Sequence, residues 1–162
     1  NMLNFTSALT IKDPALSSRW FLSVPDVNGP YECVAETVEL PFDKNQPKGR
    51  HFQATQRFYP DFRDIDGVTI VFWETYDFQV SKWLEKWRKQ VYRTNGSYGL
   101  PIEYKKSMYC YMYSLTSNSP ILTYHLRGCW PTDKIPYNLT HEDENGRIQT
   151  ACLFSVDGVD QE

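Results

Sequence analysis

The sequence predicts a mainly β fold, a two-sheet β-sandwich or barrel of one domain with one amphipathic α-helix on its side. Three observations predict it. Aromatic residues make up 15% of the 162 residues, an excess that suits strands and subunit contacts. Only one segment has the helical period, whereas seven have strand patterns. The predicted strands are at about 19–24, 31–40, 52–59, 67–75, 105–115, 121–130 and 148–156.

The connecting segments are predicted from their turn residues. Residues 1–15 are polar and weakly periodic, and we expect an N-terminal arm that ends at Asp13-Pro14. Residues 41–51 contain two prolines, a glycine and little apolar surface, so a mobile loop is expected in the isolated monomer. An acidic turn is expected at 61–66 and a C-terminal tail at 158–162, so that the domain itself covers 16–157.

One segment, at about 77–93, has the pattern of an amphipathic helix. An apolar stripe with the spacing i, i+3, i+4, i+7 and i+11 lies opposite a basic face, and Asp77 is the expected N-cap. The stripe consists of Val80, Trp83, Leu84, Trp87 and Val91. Such a helix could bind a membrane surface or a partner helix. We favour a helix that closes the open face of a sheet, because it lies between strong strands.

The strand at 105–115 has two different faces. Tyr109, Tyr111 and Tyr113 share one face, and the opposite face carries the smaller residues Met108, Cys110 and Met112. Three tyrosines are large and amphipathic for a plain interior. We therefore expect this face to contact a neighbouring subunit.

Charge and hydropathy exclude several classes of protein. The net charge of −3 and the sequence pI of about 5.6 argue against a domain that grips phosphates. The longest purely apolar run, Ile70–Trp73, is too short to cross a bilayer, and the N-terminus lacks a signal-peptide pattern, so no membrane partner is expected. Sequons at Asn4, Asn95 and Asn138 would suit a secreted protein, but they also arise by chance.

No catalytic or metal-binding pattern occurs in the sequence. The four cysteines contain no C-x-x-C pair and are expected to be buried and reduced. The three histidines lack metal-ligand spacing. His125 and Cys129 could share a strand face, but four strand residues place them roughly 13 Å apart, too far for direct proton transfer. We therefore expect no enzyme, no cofactor and no metal.

Four segments together resemble the tail tube proteins of contractile-tailed bacteriophages. They are Phe58–Ile70, which precedes the tryptophan-bearing helix, the E-Y-K-K strand start in Ile102–Ser107, the W-P-T turn in Leu126–Thr132 and the I-Q-T strand in Gly146–Thr150. The segments occur in this order, and the resemblance covers roughly residues 16–157.

This resemblance implies a structural subunit whose inner sheet closes a hexameric ring. Stacked rings would form a tube through which genomic DNA passes without specific binding. Four strands per subunit at about 4.8 Å spacing would enclose a bore of roughly 37 Å. Residues 41–51 would contact the adjacent ring. The implied location is the virion tail, assembled in the host cytoplasm, and the implied partners are further copies of this chain, the tail sheath and the baseplate.

The candidate interface residues come from the segment 41–51 and from the aromatic positions. They are Phe42, Lys44, Lys48, Arg50, Tyr59, Tyr109, Tyr111 and Tyr113. Two roles remain open, a shaft subunit and a baseplate ring that starts or ends the tube. A more remote alternative is a secreted β-sandwich binding module, for which two disulfides would be expected where the tube subunit has free thiols.

Overall fold

The computed structural model describes residues 19–25, 35–40, 43–116, 118–135 and 146–162. The described part is mainly β, as predicted. Its elements in chain order are β1 (Trp20–Ser23), β2 (Ala35–Glu39), β3 (Asp43–Phe52), β4 (Thr55–Ile65), β5 (Val68–Trp73), α1 (Gln79–Val91), α2 (Pro101–Tyr104), β6 (Lys106–Tyr113), β7 (Pro120–Ile135), β8 (Gln149–Ser155) and β9 (Gly158–Gln161).

Seven of these strands form one folded sheet in which all neighbours are antiparallel. The order is β1-β6-β7-β8-β5-β2, and β9 pairs with β7 beside this path. The other two strands, β3 and β4, pair with each other in a separate two-stranded sheet. The prediction of a two-sheet β fold is confirmed.

The long strand β7 bends and thereby belongs to two layers. Its first part pairs with β6 and β9, and from Trp130 onward it pairs with β8. Gly128 lies at this change with a left-handed φ of 64°. The Asp157 side chain occupies the space that a Cβ at Gly128 would need. Strands that change sheets through such a bend form the corners of β-sandwiches.

The core lies between the folded sheet and α1. Val80, Leu84 and Trp87 of α1 are buried. The Trp87 ring lies 5.6 Å from that of Phe154, and Trp83 meets Phe72 edge to face at 5.6 Å. The helix therefore closes the face of the sheet, and the interpretation favoured from its sequence is confirmed. No helix in the described ranges is long and apolar enough to span a membrane.

The start of α1 differs from the prediction. The N-cap is Phe78, with a φ of 57° and no side-chain cap, and not Asp77. The carboxylate of Glu74 takes over part of the capping role, because it accepts the Val80 N–H at 3.1 Å and the Ser81 hydroxyl at 2.9 Å. It also accepts the hydroxyl of buried Thr150 at 2.5 Å. Glu74 thus joins α1 to β8.

Three predictions about connecting segments were wrong. The expected loop 41–51 is a strand from Asp43 onward, the expected acidic turn 61–66 is strand as far as Ile65, and the expected tail 158–162 forms β9. The predictions considered only the burial of apolar side chains. In these strands, pairing with a neighbouring strand provides hydrogen-bond partners for the backbone N–H and C=O groups. The arm 1–15 and residues 31–34 of the second predicted strand lie outside the described residues. The short helix α2 was not predicted.

Candidate subunit interfaces

The β3–β4 hairpin extends from the sandwich as an arm. Its pairing runs from Asp43 opposite Ile65 to Phe52 opposite Thr55. Every side chain of β4 except that of Ile65 is exposed. At about 3.3 Å per residue, ten residues of β3 span roughly 30 Å. An isolated two-stranded hairpin is marginally stable in water, so packing against another surface would stabilise this arm.

The sequence of the hairpin explains why prolines and a glycine occur inside strands. Pro47 lies opposite Pro60 next to a register shift, where the ladder is interrupted and neither residue needs an N–H. The side-chain amide of Gln56 lies over Gly49, so a Cβ at this position would require that side chain to move. At the turn, Gln53 adopts a left-handed φ of 52°.

One side of the arm combines cationic and aromatic side chains. Because directly opposite residues share a face, Arg50 with Arg57 and Lys48 with Tyr59 point to the same side, and Phe52 joins them two residues beyond Arg50. The rings of Phe52 and Tyr59 lie 6.5 Å apart in an edge arrangement. We call this set of five residues the hairpin face. All five side chains are exposed.

The two arginines of the hairpin face are directly opposite each other. Like charges in this position destabilise a strand pair. Among the residues that the structure describes, neither Arg50 nor Arg57 has an ion-pair partner. An acidic surface on another molecule would relieve this repulsion.

A second candidate surface is the outer side of β6. Tyr109 and Tyr111 stack with centroids 6.1 Å apart, and Tyr109 also stacks on His125 of β7 at 4.5 Å. These side chains are half-buried, and Met108 and Cys110 on the opposite face are buried in the core, as the alternation predicted. Tyr113 lies two residues further along β6, on the same side of the strand as Tyr109 and Tyr111. We call Tyr109, Tyr111, Tyr113 and His125 the tyrosine face.

The predicted interface residues therefore belong to two surfaces on different sheets. Lys48, Arg50 and Tyr59 lie together on the hairpin face, and the backbone of Lys44 pairs opposite Asp64 at the base of the hairpin. Phe42 lies outside the described residues. The sequence reasoning missed Phe52 and Arg57. The sequence pattern that places them on this face is the alternation of side chains on both sides of the Gln53-Ala54 turn. That pattern can be interpreted only once the segment is recognised as a hairpin.

Three strands of the folded sheet leave an open edge among the described residues. β1 pairs only with β6, β2 only with β5 and β9 only with β7. Each open edge presents N–H and C=O groups that can pair with another chain. The two ends of the folded sheet are therefore available for joining subunits.

The described side chains contain no reactive constellation. Cys110, Cys129 and Cys152 are buried free thiols, and burial raises the pKa of Cys129 and of Cys152 to about 12. Such thiols are poor nucleophiles. Cys129 donates to the carbonyl of Leu126, whereas His125 stacks on Tyr109 at the opposite face. In the described ranges no group of three His, Cys, Asp or Glu residues could hold a metal ion.

Solved structures of contractile injection systems share this fold. A chain of the anti-feeding prophage cap, the tube terminating cap, superposes with a TM-score of 0.75 at 10% identity, over 94% of this chain and 93% of that one. A chain of the PVC sheath-tube complex superposes with a TM-score of 0.69 at 14% sequence identity, and the match covers 99% of both chains. A chain of the anti-feeding prophage baseplate superposes with a TM-score of 0.68 at 8% sequence identity, and the match covers 94% of this chain and 97% of that one.

No protein-family model and no curated protein matches this chain. The similarity therefore establishes the fold. The chain has the fold found in the tube, cap and baseplate structures of contractile injection systems, and the resemblance to tail tube proteins is confirmed at that level.

Proposed function

We propose that this protein is a structural subunit of a contractile tail, of a bacteriophage or of a related injection system, and that six copies close a ring around a channel. The observation that carries the proposal is the fold, which is shared over nearly the whole chain with structures of a cap, a sheath-tube complex and a baseplate. The chain acts as a building block and not as an enzyme.

The open strand edges support ring closure. β1 and β2 are the two ends of the folded sheet. An edge of one subunit pairs with an edge of the next, and closing the ring removes every exposed edge of the inner sheet. The tyrosine face contributes aromatic contact area to the subunit boundary.

The hairpin supports the stacking of rings. Its face carries three cations on a chain whose net charge is −3, so a second copy offers the opposite charge. The same negative balance suits a channel through which DNA passes without being retained, because a basic lining would bind phosphates by counterion release. The tail sheath and the baseplate are the other proposed partners.

Electron microscopy and native mass spectrometry of the purified protein at high concentration test this function. We expect six-membered rings with a central channel. Tyr111→Ser lowers the ring yield, and Tyr76→Ser is the matched control, because Tyr76 is 97% exposed and lies outside both candidate surfaces. A protein that stays monomeric at all concentrations would contradict the proposal.

A ring that starts or ends the tube is the second candidate role. It is favoured by the similarity to a tube terminating cap and to a baseplate chain. The two roles differ in self-association. A shaft subunit polymerises into long hollow tubes, whereas a terminal ring stops at one ring until another tail protein is added.

A further inference from the structure

The loop between α1 and α2 and its flanks carry a cluster of exposed apolar side chains. Tyr92, Tyr98, Leu100 and Ile102 are each more than half exposed. The rings of Tyr92 and Tyr98 are in contact, with their centroids 5.1 Å apart. We call these four residues the apolar knob. Single exposed apolar side chains are ordinary, whereas a cluster of them marks a surface that contacts another molecule.

Hydrogen bonds within the loop hold the knob in place. The backbones of Tyr92 and Tyr98 form an isolated β-bridge. The Glu103 carboxylate accepts the Leu100 N–H at 3.0 Å and pairs with Arg93 at 2.7 Å. A surface that is already ordered loses little conformational entropy on binding, so its apolar area contributes to affinity with little offset.

An apolar cleft lies between β1 and β2, the two ends of the folded sheet. Its volume is about 330 Å³, and cavities of this size and apolar character bind inserted groups. Glu36 and Thr37 also line it, and the Glu36 carboxylate already accepts a hydrogen bond from the Gln149 side chain. The apolar lining consists of Trp20, Val38, Leu40, Cys110 and Met112.

The knob cannot enter the cleft of its own chain. It lies beside α2 at the start of β6, and Trp87 of α1 fixes α2 there by donating to the Tyr104 carbonyl at 2.7 Å. The cleft is near the other end of β6, where Met112 lies roughly 20 Å from Lys106 at about 3.3 Å per residue. A second copy of the chain can bring its knob to this cleft.

A second cavity, of about 480 Å³ beside α1, does not suit the knob. It is lined by the amphipathic chains of Lys82, Lys86, Lys89 and Lys134. Apolar side chains placed there would remove water from ammonium groups and offer them no hydrogen bond, which costs free energy. The apolar cleft is therefore the matching site for the knob.

We infer that the apolar knob of one copy docks into the cleft between β1 and β2 of the next copy in the same ring. The inference rests on the proposed function, and it adds a side-chain contact at the boundary where the open strand edges meet. The cleft opens between the two edges that the proposed ring joins, so the adjacent subunit is the surface nearest to it. Because knob and cleft are different surfaces of identical chains, the contact is heterologous and can close a ring.

Engineered cysteines test the contact without removing either surface. Thr37 lines the cleft and Leu100 belongs to the knob, and both are exposed. A disulfide needs Cα atoms within about 7 Å, so L100C and T37C cross-link only where a knob lies at a cleft. Under mild oxidation we expect linked dimers when the two single variants are mixed. The chain that carries both changes should give a ladder of linked oligomers that ends at the size of the ring.

Matched controls identify cross-links that arise by chance. Each single variant alone should give no linked product, and neither should a chain with Y76C and T37C, because Tyr76 lies outside the knob and the cleft. A disulfide within one chain of the L100C and T37C double variant would place the knob in its own cleft and overturn the inference. Rings whose L100C and T37C thiols stay unlinked would overturn it as well and leave the ring proposal standing.

Removing the apolar surface of the knob gives an independent test. Leu100 and Ile102 are exposed, so L100S with I102S should keep the fold, which circular dichroism checks. We expect the protein concentration needed for rings to rise about tenfold or more. Y76S, the matched control, assembles like the unchanged protein. Assembly of the double variant at the unchanged concentration overturns the contact, and a chain that forms no rings at any concentration overturns the proposed function with it.

Discussion

Gly128 is the residue on which the bend of β7 depends. Its φ of 64° is unfavourable for residues with a Cβ, at a cost of about 1–2 kcal/mol. A methyl group there would also overlap the Asp157 carboxylate, which holds Lys105 at 2.6 Å. We expect Gly128→Ala to lower the free energy of unfolding by at least about 2 kcal/mol.

Gly96 provides the control for this prediction. Its φ is 82°, but nothing lies within 4 Å of the position of a Cβ. Gly96→Ala should therefore lower the free energy of unfolding by about 1 kcal/mol, which is the cost of the left-handed φ alone. Urea denaturation of both variants measures the difference. Equal losses would show that the Asp157 contact is unimportant.

The buried thiols predict an alkaline loss of stability. The pKa of Cys152 is about 12 in the folded protein against an ordinary 9.0, and burial is the main cause. Above pH 9 the unfolded chain releases this proton and the folded protein does not, so stability falls between pH 9 and about 12 and is unaffected below pH 9.

The measurement is the free energy of unfolding at several alkaline pH values. Cys152→Ala should lower stability at pH 7, because it removes buried volume. It should also flatten the decline above pH 9, because one fewer thiol ionises on unfolding. An unchanged slope would show that Cys152 does not titrate as its burial implies.

At the scale of elements, Glu74 couples α1 to β8. Its carboxylate accepts hydrogen bonds from Val80, Ser81 and Thr150, and Thr150 is fully buried. Glu74→Ala leaves these donors without an acceptor and should cost about 2–3 kcal/mol of stability. Asp77→Ala is the control, because Asp77 bonds only Thr75 and Gln79 at the surface. If both variants melt at the same temperature, the coupling role is wrong.

The hairpin is an element whose loss the sandwich should tolerate. β3 and β4 pair with each other, and Arg63 of β4 donates a hydrogen bond to the Val159 carbonyl of β9 at 3.3 Å. Replacing residues 49–58 with a two-residue Asn-Gly turn should shift the melting temperature by less than about 3 °C. Calorimetry checks this. A large drop would mean that the arm contributes to the core.

At the scale of the whole molecule, salt should distinguish the two proposed contacts. The proposed stacking contact would pair the exposed cations of the hairpin face with acidic groups, which salt screens, whereas the proposed ring closure would depend on backbone pairing and aromatic area. Raising the ionic strength from about 0.05 M to about 0.5 M should shorten stacks into single rings. Sedimentation velocity follows the change. Rings that dissociate while stacks persist would reverse the assignment of the contacts.

The sequence predicted elements wherever burial decided them. The stripe from Val80 to Val91 identified α1, and the alternation of Met108 and Cys110 with the tyrosines identified β6 and its faces. It failed at Asp43–His51 and Asp61–Ile65, where prolines, a glycine and charged residues fit an exposed hairpin, because pairing between two strands leaves no apolar pattern. Lys48, Arg50 and Tyr59 were predicted as interface residues from their chemistry, whereas Phe52 and Arg57, which lie on the same hairpin face, were not.

The sequence by itself determined the class of this protein, a β-sandwich with one helix on its face, because apolar periodicity depends on neighbours a few positions away. Only the tertiary structure decided that β7 serves both layers, that the last residues form β9 and that Asp43–Ile65 folds into an exposed hairpin. These features depend on which distant segments pair, and the register of such pairing is fixed by contacts that no local pattern of residues records.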